Sequence, residues 1–157
     1  MPPSPLDGPR ERDEVLSSVL KAIRNYRRLT VQDVADRMGL QKRTYERFEA
    51  GEGLLKMARI FSFARATDSD PYALLVSVRL GSPDFALACI DNKLVALLVA
   101  HARELFRTEG AGLARLQPQV IVEALTVAFS TMGADLEQAR SAAARWLGGD
   151  DGEDNGN

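Results

Sequence analysis

Cysteine and histidine each occur once in this 157-residue chain, as Cys89 and His101. A single cysteine excludes an internal disulfide, so nothing in the sequence calls for an oxidising compartment. On one helix, their spacing of twelve would set the two residues about 18 Å apart, too far for a nucleophile–base pair or a shared metal. The carboxylates Asp84, Asp91, Glu104, Glu109 and Glu123 are scattered, and Glu104 beside Arg103 and Arg107 reads as helix-surface pairing. Also lacking are a GxGxxG loop, strand-like alternation and a short internal repeat. No catalytic site, metal site or cofactor is expected, and the chain reads as a non-enzyme. The apolar stretch Leu94–Ala102 is short and flanked by Lys93 and Arg103, so no membrane span is expected. The opening MPPSPLDGPR has no apolar signal core, which points to the cytoplasm.

What is present is the profile of a globular protein, with 45% hydrophobic and 27% charged residues. The length suits one ordinary domain or two small ones. The net charge of −2 conceals an asymmetry: residues 1–80 hold 14 basic and 11 acidic side chains, and the remainder 6 and 11. Between Lys21 and Arg47 there are 8 basic residues against 3 acidic. A positive field confined to one region suggests a polyanion met by one face.

Residues 1–10 contain four prolines and read as a flexible arm. The glycine-rich acidic end, residues 148–157, reads as a disordered tail. The body between them is all-α by its three- and four-residue apolar spacing. A first helix is predicted over Glu11–Tyr26, with Val15, Val19, Ala22, Ile23 and Tyr26 inward. Thr30 is the predicted N-cap of a short second helix, Val31–Met38, with Asp33 completing an acidic capping box. Gly39 ends it. A third helix, Gln41–Ala50, carries Tyr45 and Phe48 on its apolar side and stops at Gly51. A fourth spans Leu54–Ala66, with Leu54, Leu55, Ala58, Ile60, Phe61 and Ala64 offered to the core. A fifth runs from Pro71 to Val78. Gly81-Ser82-Pro83 is the predicted domain boundary, so that residues 11–80 and 83–147 form separate regions. Three more helices are expected beyond it, over 83–108, 118–132 and 134–147, with Gly133 dividing the last two.

Two short helices joined at a glycine after a longer one describe a helix-turn-helix unit. The second of them divides cleanly, with Gln41, Lys42, Arg43, Glu46 and Arg47 on one side and Tyr45 and Phe48 on the other. A recognition helix needs that division, because one face packs on the scaffold while long donors reach into the major groove.

The run LKAIRNYRRLTVQDVADRMGLQKRTYERFEAG, followed by IFSFARATDSDPYALL, resembles the Cro/C1-type (XRE-like) helix-turn-helix family over roughly residues 15–75. The matching elements are Arg24, Leu29-Thr30, Ala35, Gly39, and Glu49 with Gly51. The resemblance implies a five-helix, lambda-repressor-like N-terminal domain followed by a helical C-terminal region. It makes Lys42, Arg43 and Arg47 base readers, with Glu46 suited to a cytosine amino group. It places Gln41 and Thr44 on phosphate, and pairs Arg24 with Glu49 as a structural ion pair. The first residue of the second helix is often Gln in the family and is Val31 here, which passes that phosphate contact to Gln32 or Thr30. Arg28, before the turn into the second helix, is a further backbone-contact candidate. Glu52, in a loop without the family's frequent proline, is expected to point away from DNA.

Residues 83–147 resemble no family that we identify. The predicted helices at Lys93–Leu105 and Val120–Met132 are apolar around most of their circumference, which asks for burial on several sides. Leu136, Ala139, Ala143 and Trp146 or Leu147 form a narrower stripe at coiled spacing. A dimer interface and a self-contained three-helix bundle are both compatible with this pattern. The function expected is a sequence-specific, DNA-binding transcriptional regulator: a repressor acting as a dimer on an inverted-repeat operator in double-stranded DNA. Two alternatives stay open, an activator contacting RNA polymerase through Asp33 and Asp36, and an antitoxin- or adaptor-type module whose C-terminal helices hold a protein partner.

Overall fold

The computed structural model describes residues 8–52 and 56–148, and among them every regular element is helical. The predicted arm and acidic tail lie almost wholly outside the described residues, as do Leu54 and Leu55. The elements are α1 (Pro9–Tyr26), α2 (Val31–Arg37), α3 (Lys42–Glu49), α4 (Met57–Thr67), α5 (Pro71–Leu80), α6 (Asp84–Ala88), α7 (Leu94–Glu109), a 3₁₀ segment (Gly110–Arg115) and α8 (Pro118–Gly148). They fall into two units, one reaching Glu104 and the other beginning at Leu105.

The first unit is built on α1, whose Leu16, Val19, Leu20 and Ile23 are buried at three- and four-residue steps. Val34 and Ala35 of α2, Tyr45 and Phe48 of α3, Ile60 and Phe63 of α4, and Leu74 and Val78 of α5 close over that stripe. Tyr45 stacks parallel to Phe63 with ring centroids 6.5 Å apart, and Phe48 meets Phe63 edge-on at 6.2 Å. Burial of this apolar surface, at roughly 25 cal/mol per Å², is what holds helices too short to persist alone.

Several expectations need correction. Gly81–Pro83 is a turn inside the first unit, not its end: Ala86 and Ile90 beyond it are buried in the same core as Val78. The helix expected over 83–108 is two, α6 and α7, separated by Lys93 in the left-handed region at φ 54°. Cys89 therefore caps α6 while His101 sits on α7, so the single-helix spacing between them does not apply. In α4 the buried positions are Ile60, Phe63, Ala64, Ala66 and Thr67, whereas Ala58 faces solvent. Tyr26 is also exposed.

In the second unit, the helices expected on either side of Gly133 are one continuous helix of 31 residues. Glycine costs only about 1 kcal/mol in a helix interior, too little to break a run of strong helix formers. The merged helix is, over Pro118–Arg145, long and apolar enough to cross a membrane by length and composition. The sequence had shown no such run because it was read in two pieces. Every described side chain of α8 is exposed except Ala128, which is half-buried.

Candidate nucleic-acid interface

The geometry of α2, the turn and α3 follows from local chemistry. The Thr30 N–H and hydroxyl both donate to Asp33 Oδ2, at 2.7 and 2.6 Å, and the Asp33 N–H returns a bond to Thr30 Oγ1 at 3.1 Å. This reciprocal box satisfies the first orphan donors of α2. Bonding to Thr30 holds the Asp33 carboxyl below the usual carboxylate range. Gly39 then takes φ 66°, a left-handed conformation that ends α2 and redirects the chain toward α3.

Gly51 closes α3 for two reasons. Its φ is 77°, and a Cβ there would run into the backbone carbonyl of Asp13 on α1. The glycine after α3 is therefore a close approach between main chains as well as a turn.

Between these glycines α3 shows two faces. Tyr45, Phe48 and Glu49 are buried, and Lys42, Arg43, Glu46 and Arg47 are exposed. At 3.6 residues per turn the four exposed side chains fall within an arc of about 140°. Gln41 occupies the N-cap position with an exposed side chain that makes no cap bond, and Thr44 is half-buried.

Glu49 is the hinge between this helix and α1. Arg24 donates through Nε to Glu49 Oε1 at 2.6 Å and through Nη2 to Oε2 at 3.2 Å, a bidentate pair. The Tyr45 hydroxyl donates to the same Oε1 at 2.7 Å. A buried carboxylate needs such company, because desolvation of an unpaired charge is costly. The bond to Glu49 raises the Arg24 pKa, and burial, then the bond to Glu49, pushes the Tyr45 phenol far up. Tyr45 had been read only as an apolar residue; its four-residue spacing from Glu49 was the available signal.

The basic cluster sorts into two groups. Arg24 is bound to Glu49, and Arg37 donates to the Ala66 carbonyl at 3.1 Å. Arg27 donates to the Thr67 and Asp68 carbonyls and pairs with Asp91 at 2.8 Å. That pairing holds the Asp91 carboxyl below its ordinary range. These three arginines hold the fold. Lys21, Arg28, Lys42, Arg43 and Arg47 remain exposed, and Arg37 is exposed as well despite its carbonyl bond. Lys42 lies 4.0 Å from Glu46, and Arg47 pairs with Glu52 at 2.9 Å, so Glu52 turns toward the basic face and not away from it. Arg43 makes no ion pair with any described residue.

The remaining predicted phosphate contacts have local bonds. The Gln32 amide donates to Asp36 at 2.7 Å, and the Thr30 hydroxyl hydrogen is given to Asp33. Arg28 is held at φ 55° immediately before α2, with its side chain in solvent. Cys89 is buried, which raises its thiol pKa with a further contribution from the charge of Asp70. Among the described residues no cluster of three or more His, Cys, Asp or Glu could hold a metal.

Asp70 was foreseen only as the start of α5. Its Oδ1 accepts from Tyr72 and Ala73 N–H groups at 2.9 and 3.0 Å, and its Oδ2 from Ala96 N–H of α7 at 2.9 Å. One buried carboxylate thus caps two helices, a link across 26 residues that no local pattern carries.

No curated protein and no solved structure matches the chain. Residues 15–74 match the family described as a helix-turn-helix domain. The match runs from Val15 within α1 to Leu74 in the first turn of α5 and includes the turn at Gly39, the Arg24–Glu49 pair and the basic face of α3. Over residues 15–74 the chain is thus similar to a helix-turn-helix domain, a DNA-binding module.

Proposed function

We propose that the protein is a sequence-specific transcriptional regulator that binds an inverted-repeat operator as a dimer and represses by occluding a promoter. The observation that carries this reading is the sorting of the basic cluster. Arg24 and Arg27 are tied into the fold and Arg37 to the Ala66 carbonyl, while Lys42, Arg43 and Arg47 stand together on the exposed face of α3, paired at most with exposed carboxylates. Arg and Lys on a recognition helix read guanine O6 and N7, and Glu46 suits a cytosine amino group. Gln41, Thr44 and Arg28 flank that face where the phosphate backbone would run, with Thr30 and Gln32 on the α2 side. The likeness to Cro/C1-type regulators supports the same assignment. One such helix reads few base pairs, and two in a symmetric dimer read half-sites about 34 Å apart. The site of action is the cytoplasm, on DNA, with no catalytic step.

Repression needs only affinity and position. The acidic pair that would serve an activator, Asp33 and Asp36, is engaged in bonds to Thr30 and Gln32. An adaptor holding another protein is the second reading, and the exposed apolar face of α8 is the observation that favours it.

The test is genome-wide occupancy of the tagged protein beside an Arg43→Ala/Arg47→Ala control, followed by binding assays on the recovered sites. Promoter peaks sharing an inverted repeat, lost in the control, are expected. Each single substitution should cost about 1–3 kcal/mol and relax preference at a defined base. Affinity should fall steeply with salt, since each neutralised phosphate releases counterions. Peaks that persist unchanged in the control would overturn the assignment of α3.

A further inference from the structure

The apolar side chains of α8 include Val120, Ile121 and Val127 at other positions, but one line of them is periodic. Val122, Leu125, Phe129, Met132, Leu136 and Ala139 recur at alternating steps of three and four, and Ala143 continues the series. This is the a and d spacing of a coiled-coil seam, sustained for three heptads or about 32 Å of helix. The first five of these residues are 41% to 62% exposed. No seam position is charged. In the same register Glu123 and Glu137 take position b, Arg145 position c, Asp135 position g and Arg140 position e.

We propose that this seam pairs with the seam of a second copy of the chain, in parallel and in register. The reading deepens the dimer of the preceding section by naming its surface and direction. The heptad period calls for another helix of the same period, and the acid at g with the base at e on this one helix lets a second copy supply it. The direction follows from charge. In a parallel pair, position g meets position e of the next heptad on the other helix, five residues on. Asp135 then faces the partner subunit's Arg140, and Arg140 faces the partner subunit's Asp135. In an antiparallel pair g lies beside g and e beside e, so no register joins these opposite charges. Parallel pairing also brings the two Pro118 ends together. A bilayer is the competing cover for an apolar helix of this length. Five side chains between Pro118 and Arg145 are charged, yet an 18-residue stretch with no more than two of them has the length and hydropathy of a span, so vesicle capture is one arm of the test.

The experiment uses the full chain, without DNA, with Cys89→Ala and one new cysteine at a d position, Leu125→Cys or Ala139→Cys. The two positions lie about 21 Å apart along the helix. In a parallel in-register dimer each variant alone oxidises to a disulfide-linked dimer. An antiparallel pair self-links at one of them at most. In sedimentation equilibrium, Asp135→Arg and Arg140→Asp should each weaken the dimer several-fold, and the double reversal should restore it. Circular dichroism checks that each variant folds. A monomer at tens of micromolar, self-linking at only one position, or capture by phosphatidylcholine–phosphatidylglycerol vesicles without a dimer would overturn the proposal. Cross-linking at both positions in a protein that binds no DNA would defeat the regulator reading and leave the seam standing. Specific DNA binding without cross-linking would do the reverse.

Discussion

α3 and α8 solve the same problem in opposite ways. α3 is eight residues long and turns Tyr45, Phe48 and Glu49 into a core shared with α1 and α4, leaving its cations in solvent. α8 is 31 residues long and leaves Val122, Leu125, Phe129, Met132 and Leu136 exposed. A short helix persists only when tertiary contacts bury one of its faces, and α3 has those contacts within its own chain. The comparison teaches that exposure has two meanings here. On the readings proposed above, exposed charge on a buried scaffold would address a polyanion, and an exposed heptad stripe another helix.

The sharpest way to test the contrast is to delete one aromatic ring from each region. Phe63→Ala, at the centre of the buried aromatic cluster, should cost about 3–5 kcal/mol in urea unfolding of the first unit. Phe129→Ala on α8 should leave that unfolding within about 0.5 kcal/mol, as for a surface change. Equal losses would mean that the two regions share one core. Gly51→Ala combines a left-handed φ with a collision against the Asp13 carbonyl. It should destabilise the first unit by about 3 kcal/mol, read as a fall in its thermal midpoint. An unchanged midpoint would show that α3 can withdraw from α1 freely.

Glu49→Ala removes the partner of both Arg24 and the Tyr45 hydroxyl. A loss of about 2 kcal/mol is expected, and much less would mean that water replaces the carboxylate without cost. Thr30→Ala breaks the capping box and should cost about 1 kcal/mol in the same assay. That capping also depends on pH. The Asp33 pKa is lowered in the folded state, so its stabilisation is present above the unfolded value near 4. It is lost as pH falls through the lowered folded value, and Asp33→Asn should flatten that limb of an acid titration. Smallest of all, Glu52→Gln frees Arg47 from an exposed pair, which is worth at most about 1 kcal/mol. DNA binding should tighten by no more than about fivefold. Weaker binding would make Glu52 a positioning residue for Arg47.

The elements that were legible in the sequence are those whose causes lie within a few residues. The Thr30–Asp33 box, the turn at Gly39 and the polar–apolar division of α3 all belong to that class. The Asp70-Pro71 start of α5 does too. Gly81 shows the boundary of this legibility. As a left-handed C-cap it ends α5, and that event is local; whether the chain then leaves the core is not. Ala86 and Ile90 return to the core, and no spacing near Gly81 says so. Gly133 fails in the opposite sense, because a small propensity penalty was read as a break in a helix that its neighbours sustain.

By itself, then, the sequence determined an all-helical chain with a helix-turn-helix near its start, because helix period, caps and turn glycines act over three to seven residues. Only the tertiary structure decided which cations remain free for a ligand. Arg24 meets Glu49 across 25 residues, Arg27 meets Asp91 in the turn between α6 and α7, and Arg47 meets Glu52 only through the way the loop after α3 turns back. It also decided that the stripe lies along one continuous helix, since the residues around Gly133 sustain α8 through it. Periodicity can say that a face is apolar; packing alone says whether the same chain covers it.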